Sequence, residues 1–192
     1  MPQGRPLVVP DDGLTTRTRR NAPLLAVHTG AGKGKSTAAF GLALRMLGRG
    51  KRVGVVQFIK GAWHSAERDA LQKFGDQVSW HTMGEGFTWD TQDLKRDIAA
   101  TERAWVKARE LMADDKFALI ILDELNIALR YDYLDLQSVV AELTARRRDL
   151  HIVVTGRNAK PELIAAADLV TDMSLVKHHF AAGVKAQPGI EF

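Results

Sequence analysis

Residues 24–37 read LLAVHTGAGKGKST, and the fold class follows from that order. Four apolar residues (Leu24, Leu25, Ala26, Val27) lead into a loop with three glycines and two lysines, then into Ser36, Thr37 and the helix-forming run AAFGLALRML. Strand, glycine-rich loop and helix in succession describe a P-loop. Without β-carbons, Gly30, Gly32 and Gly34 let the backbone curl so that successive N–H groups face a polyphosphate, at a helix N-terminus whose dipole favours anions. In that frame Thr29, Gly30, Ala31, Gly32, Lys33, Gly34, Lys35, Ser36 and Thr37 form the phosphate cradle. Lys35 opposes phosphate charge and the Ser36 hydroxyl ligates Mg²⁺. The spacing departs from G-x-x-x-x-G-K-[ST] at one place: Thr29 stands where the first glycine belongs.

Downstream, strands alternate with helices. The expected strands are Leu24–His28, Val53–Ile59, Val78–Met83, Phe117–Leu122, His151–Thr155 and Leu169–Leu175. The expected helices are Ser36–Gly48, Trp63–Phe74, Asp93–Met112, Leu134–Arg146 and Pro161–Ala167, the last with proline at its first position. The runs VGVVQFI and FALIIL are nearly continuous in apolar residues, as in strands covered on both faces. The pattern predicts an α/β fold in three layers, a mostly parallel six-stranded sheet with helices on both faces, of the RecA-like P-loop kind. Residues 1–22, with Pro2, Pro6 and Pro10, are expected to form an extended or mobile arm, and residues 23–192 one P-loop domain.

Bulk properties agree with that size. At 192 residues and 45% hydrophobic content the chain can bury one core and is too short for two ordinary domains. There is no cysteine, which excludes disulfides and thiolate metal sites and fits a cytoplasmic protein. No apolar run approaches the roughly 20 residues of a spanning helix, and the N-terminus lacks the pattern of a secretory signal. A net charge of +4 suits anionic ligands but is too weak to argue for nucleic acid. Arg146, Arg147 and Arg148 read as a solvated helix end rather than a phosphate-backbone site.

FALIILDE resembles a Walker B element, an apolar strand that delivers Asp123 and Glu124 opposite the loop, where Mg²⁺ needs hard oxygen ligands. Either carboxylate could touch the ion. The six histidines form no zinc spacing, and most read as structural or solvated, with His178 the exception. These motifs define a Mg-nucleotide site, common to hydrolases, kinases, motors and group transferases. Phe87 and Trp89, in the loop GEGFTWDTQ, can wall a flat apolar ligand or plug the core.

The combination HTGAGKGKSTAAFGLALR, VGVVQFIKG, GFTWDTQ, LDELNIAL, VVTGRNA and VKHHFAAGVKAQPGIEF resembles the P-loop ATP:corrinoid adenosyltransferases over Leu24 to Phe192. The resemblance implies transfer of the 5′-deoxyadenosyl group of ATP to Co(I) of cobalamin or an earlier corrinoid, in biosynthesis or salvage, with release of triphosphate. It implies Lys35 and Glu124 as catalytic groups, Ser36 and Glu124 at the Mg²⁺ positions, and Arg45 and Arg157 as positive positions near ATP. Phe87 and Trp89 are implied to press on the corrin ring, a reduced flavoprotein to supply electrons, and a homodimer to form. Two departures stand out: relatives carry Asn or an acidic residue at the position of Ala31, and their N-terminal helix has no evident counterpart in the proline-bearing arm. The rival readings are a RecA-like, nucleic-acid-dependent ATPase and a corrinoid carrier without catalysis.

Overall fold

The structure is a computed structural model that describes residues 21–59, 61, 65–84 and 93–191. Six strands form one sheet: β1 Leu25–Thr29, β2 Arg52–Gln57, β3 Val78–Thr82, β4 Phe117–Asp123, β5 His151–Thr155 and β6 Leu169–Asp172. Their spatial order is β3-β2-β4-β5-β1-β6, and every pairing is parallel.

The apolar runs belong to strands covered on both sides. In β4, Leu119 and Ile121 pack with Ala39, Phe40 and Leu71 on one face, while Ile120 and Leu122 pack with Ala104, Trp105 and Leu143 on the other. This is the period-2 alternation of a pleated strand with both faces apolar. Helices α1 (Lys35–Leu47) and α2 (Ala66–Gln72) cover the first face. The second face is covered by α3 (Leu94–Ala113), α4 (Leu125–Arg130), α5 (Leu136–Thr144) and α6 (Pro161–Ala166). Three layers result, as expected.

Local chemistry starts the helices. Ser65, Asp93 and Asp135 accept the backbone N–H groups of Arg68, Arg96 and Ser138, so α2, α3 and α5 open on side-chain caps. Helix α4 is an element the sequence reading lacks. It is six residues long and follows β4 after one residue, Glu124, which adopts φ 64°. Strand β6 ends three residues earlier than expected because Met173 turns onto the loop: its N–H donates to Thr29 O at 2.8 Å, and its carbonyl accepts Gly32 N–H at 2.6 Å.

Arg146 and Arg147 are not a solvated helix end. Arg146 donates to Leu143 O, Pro23 O and Asp168, and its side chain is 10% exposed. Arg147 donates to the carbonyls of Met112, Asp114 and Phe117 and to Asp149. Both guanidiniums pin chain segments together, because buried carbonyls at element ends need donors. Two of the three arginines are therefore engaged by the fold itself, while Arg148 is exposed.

Candidate functional site

Parallel strands all end on one edge of the sheet, and here the last residues of neighbouring strands are polar. Gln57 of β2 is in register with Asp123 of β4 and with Thr82 of β3, and Thr29 of β1 is in register with Asp172 of β6. Gln57, Asp123 and Thr155 are almost wholly buried. Buried polar groups need partners, and these supply one another. Asp123 Oδ1 accepts from Ser36 Oγ (2.7 Å) and Thr155 Oγ1 (2.8 Å), and Oδ2 accepts from Gln57 Nε2 (2.9 Å). Gln57 Oε1 in turn accepts from Thr82 Oγ1 (2.9 Å) and Trp80 Nε1 (3.2 Å).

The loop between β1 and α1 wraps around its own lysine. Lys35 Nζ donates to Gly30 O at 2.9 Å and to Gly32 O, which sets the ammonium at the centre of the turn. Burial, then the nearby Arg157, holds the Lys35 pKa below the ordinary lysine value; Lys33 acts in the same direction, while Glu124 and Asp172 oppose it. A desolvated ammonium with Arg157 and Lys33 nearby would be favoured in its charged form by a bound polyanion.

Glu124 stands at the mouth of this group, half-buried and in the left-handed region. Its N–H donates to Thr155 Oγ1 at 3.0 Å, so the residue that partners Asp123 also holds the strained backbone of Glu124. Ser36, Asp123 and Glu124 offer only oxygen donors, the set a hard cation requires. The Ser36 proton is committed to Asp123, which leaves the hydroxyl lone pairs for an ion. Among the described residues no three His, Asp or Glu side chains are grouped as a metal cage. The chemistry of this donor set would suit a hard cation such as Mg²⁺.

The glycines at 30 and 32 have a second reason. A β-carbon on Gly30 would come within 2.6 Å of Met173 O, and one on Gly32 within 2.6 Å of Met173 O and 2.7 Å of Ser174 O. They allow the chain after β6 to lie directly on the loop, which consumes the Gly32 N–H that the sequence reading assigned to phosphate. From there the chain carries Glu191 back to the loop, where its carboxylate pairs with Lys33 and sits 2.6 Å from His179 Nε2.

Of the remaining expected residues, Ala31 and Thr37 are exposed on the loop and first turn, and Arg157 is exposed at the tip of β5. Arg45 is not brought to this group: it is exposed in the last turn of α1, about 15 Å along the axis from Lys35 by helix rise. Phe87 and Trp89 lie outside the described residues. Sequence reasoning missed Gln57, Thr155 and Glu191. The signal for the first two was a polar residue closing an otherwise apolar strand; for Glu191 there was no spacing to read.

A family model described as ATP:corrinoid adenosyltransferase BtuR/CobO/CobP matches residues 21–192. A corrinoid adenosyltransferase of Pseudomonas aeruginosa is 55% identical over 181 residues, which cover 94% of this chain and 89% of that one. One from a Sinorhizobium species is 54% identical over 171 residues (88% and 80%), and one from Escherichia coli K12 is 44% identical over 181 (94% and 91%).

Proposed function

We infer that this chain, which belongs to the ATP:corrinoid adenosyltransferase family, is a transferase that moves the adenosyl group of ATP onto a corrinoid in cobalamin biosynthesis. The observation that carries this reading is the family match across residues 21–192, which includes every strand of the sheet.

In the chemistry we propose, the electron pair of Co(I) attacks C5′ of ATP, the Co–C bond forms, and the C5′–O pair leaves with triphosphate. Co(I) is a strong nucleophile, so the protein needs no activating Ser-His-Asp set. Its work is alignment of the two substrates and stabilisation of the leaving group. Lys35, Lys33 and the loop N–H groups other than that of Gly32 oppose the charge that grows on triphosphate, which lies in the loop in reversed direction with C5′ outward. Ser36 and Glu124 hold Mg²⁺, and Asp123 orients the Ser36 hydroxyl. When bound, the ion supplies positive charge at the phosphate oxygens. Arg157, within electrostatic range of Lys35, adds to the positive field.

Phe87 and Trp89 are proposed to wall the corrinoid. Their loop departs after β3, where Met83 and Gly84 donate to Gln57 O, one strand from Asp123. The further proposals are a reduced flavoprotein as electron donor, a homodimer, a cytoplasmic location, and an arm of residues 1–22 ahead of a domain at 23–192. No helix among the described residues is long and apolar enough to cross a membrane.

Incubation with ATP, Mg²⁺ and chemically reduced cobalamin is expected to yield the adenosylated spectrum and one triphosphate per turnover, and chelation of the metal to stop it. Orthophosphate as the sole phosphorus product would show a hydrolase instead.

A further inference from the structure

Beyond β5 the chain turns back over residues 156–159, where Gly156 at φ 128° and Asn158 at φ 54° both lie in the left-handed region. Arg157, exposed, stands between them. Outside the sheet's ladder the turn depends on partners for its backbone polar groups, and three bonds to β1 and α4 supply them. Gly156 N–H donates to His28 O at 3.2 Å, Ala159 N–H donates to Thr29 Oγ1 at 3.0 Å, and Gly156 O accepts from Asn126 Nδ2 at 2.8 Å. The seat is tight: a β-carbon on Gly156 would come within 2.9 Å of Asn126 Cβ and 3.1 Å of Glu124 Oε2.

Two of these partners have no other evident task. Thr29 stands where the P-loop pattern places its first glycine, and its hydroxyl oxygen is engaged by the β5 turn. Asn126 is wholly buried, and among the described residues no donor reaches its Oδ1. A buried amide left half-satisfied costs more than an apolar residue in the same place, so its bond to Gly156 O is what the position gains. Leu125, Ala128 and Leu129 already anchor α4 by packing in the core. We propose that Thr29 and Asn126 are positioning residues: they hold the 156–159 turn against the phosphate loop and so fix Arg157 at the mouth of that loop for the departing triphosphate. The proposal rests on the reading that residues 30–37 hold the triphosphate for adenosyl transfer. Charge grows on that group as the C5′–O bond breaks, and a guanidinium whose backbone is already in place meets it without reorganisation. The electrostatic link between Arg157 and Lys35 puts the guanidinium within range of the loop.

The test is a double-mutant cycle. Thr29→Val and Asn126→Leu, alone and each combined with Arg157→Ala, are compared by kcat/KM with chemically reduced cobalamin and by ATP affinity in calorimetry. Arg157→Ala is expected to lower kcat/KM about tenfold or more, the scale of a hydrogen bond between charged groups. Each anchor variant is expected to lower it about fivefold in the otherwise unchanged enzyme and about twofold or less once Arg157 is gone, because residues that act through a shared partner are not additive. Thr29→Ser, which keeps the acceptor oxygen, is expected to recover most of what Thr29→Val loses. Losses of equal size with and without Arg157 overturn the proposal while leaving adenosyl transfer standing, and so does full activity in both anchor variants or in Arg157→Ala. If Asn126→Leu does not fold, the Thr29 arm decides alone. Wild-type protein that binds ATP but yields no adenosylated product overturns the underlying reading, and this proposal with it.

Discussion

Ser36 donates its hydroxyl proton to Asp123 Oδ1 at 2.7 Å, joining two residues 87 positions apart at the carboxyl edge of the sheet. The bond is one of several that Asp123 accepts, and the direction of the one from Gln57 is set by its neighbours, because Gln57 Oε1 already takes Trp80 and Thr82 and so must present Nε2 to Asp123. Asp123→Asn either places an amide NH₂ against Gln57 Nε2 or, turned over, forces the Ser36 and Thr155 hydroxyls to accept where they now donate. Turning Gln57 over would move the conflict to Trp80 and Thr82. The variant is expected to lose about 2–3 kcal/mol of stability, the scale of a buried unsatisfied donor. Asp123→Asn combined with Gln57→Glu restores every donor–acceptor direction. It should recover at least half of the loss in denaturant titration while adenosyl transfer stays low. A double variant no more stable than Asp123→Asn alone would show that the row does not act as one network.

Glu124 gives a second test because its backbone and its carboxylate make opposite demands. At φ 64° a residue with a β-carbon is strained by about 1–2 kcal/mol. Glu124→Gly and Glu124→Ala both remove the carboxylate, and both are expected to depress turnover about a hundredfold or more. They should separate in stability, with the glycine variant about 1 kcal/mol above the alanine variant. Equal melting points would mean that the left-handed geometry carries no strain.

The contrast between Gln57 and Glu191 shows what the sequence made legible. Strands, helices on both faces, the loop and the Asp123–Glu124 pair were readable because each is a local pattern, a period of 2 or 3.6 or a glycine spacing. Gln57 was half legible: a polar side chain closing VGVVQ announces an end of strand at a site, but its partner is set by the strand order, which no local pattern encodes. Glu191 was illegible, since it meets Lys33 across 158 residues of chain. The reading of Arg146 failed for the same reason, as its partners Pro23 and Asp168 belong to distant segments. Helix α4 was missed for its brevity, although Leu125, Ala128 and Leu129 do show the helical spacing and are all buried.

Two glycines that look alike in sequence are expected to respond in opposite directions. Gly32 has carbonyl oxygens of Met173 and Ser174 within 2.7 Å of where a β-carbon would sit, whereas Gly41, exposed in α1, has nothing within 4 Å. Gly32→Ala must push the crossing chain off the loop, and is expected to lower both thermal stability and ATP affinity. Gly41→Ala is expected to raise stability by about 0.5–1 kcal/mol with no change in turnover, through helix propensity and a less flexible unfolded chain. Gly32→Ala with unchanged ATP affinity would mean that the crossing chain and the cradle are independent.

The depressed pKa of Lys35 predicts a pH dependence whose sign differs between folding and binding. Burial, then Arg157, lowers the value in the folded protein below 10.5. Between that lowered value and 10.5 the unfolded chain holds the extra proton, so the lysine's contribution to stability rises with pH across this window. Triphosphate reverses the balance by favouring the ammonium. ATP binding should therefore take up protons at alkaline pH, and ATP affinity should fall as pH climbs through the lowered value. Arg157→Ala removes one cause of the shift and is expected to move the alkaline limb of affinity to higher pH. The displacement should shrink in high salt, because Arg157 is exposed and its field is screened. Calorimetry in buffers of different ionisation enthalpy measures the uptake directly. A limb that stays in place in Arg157→Ala at low salt would mean that Arg157 does not set the charge on Lys35.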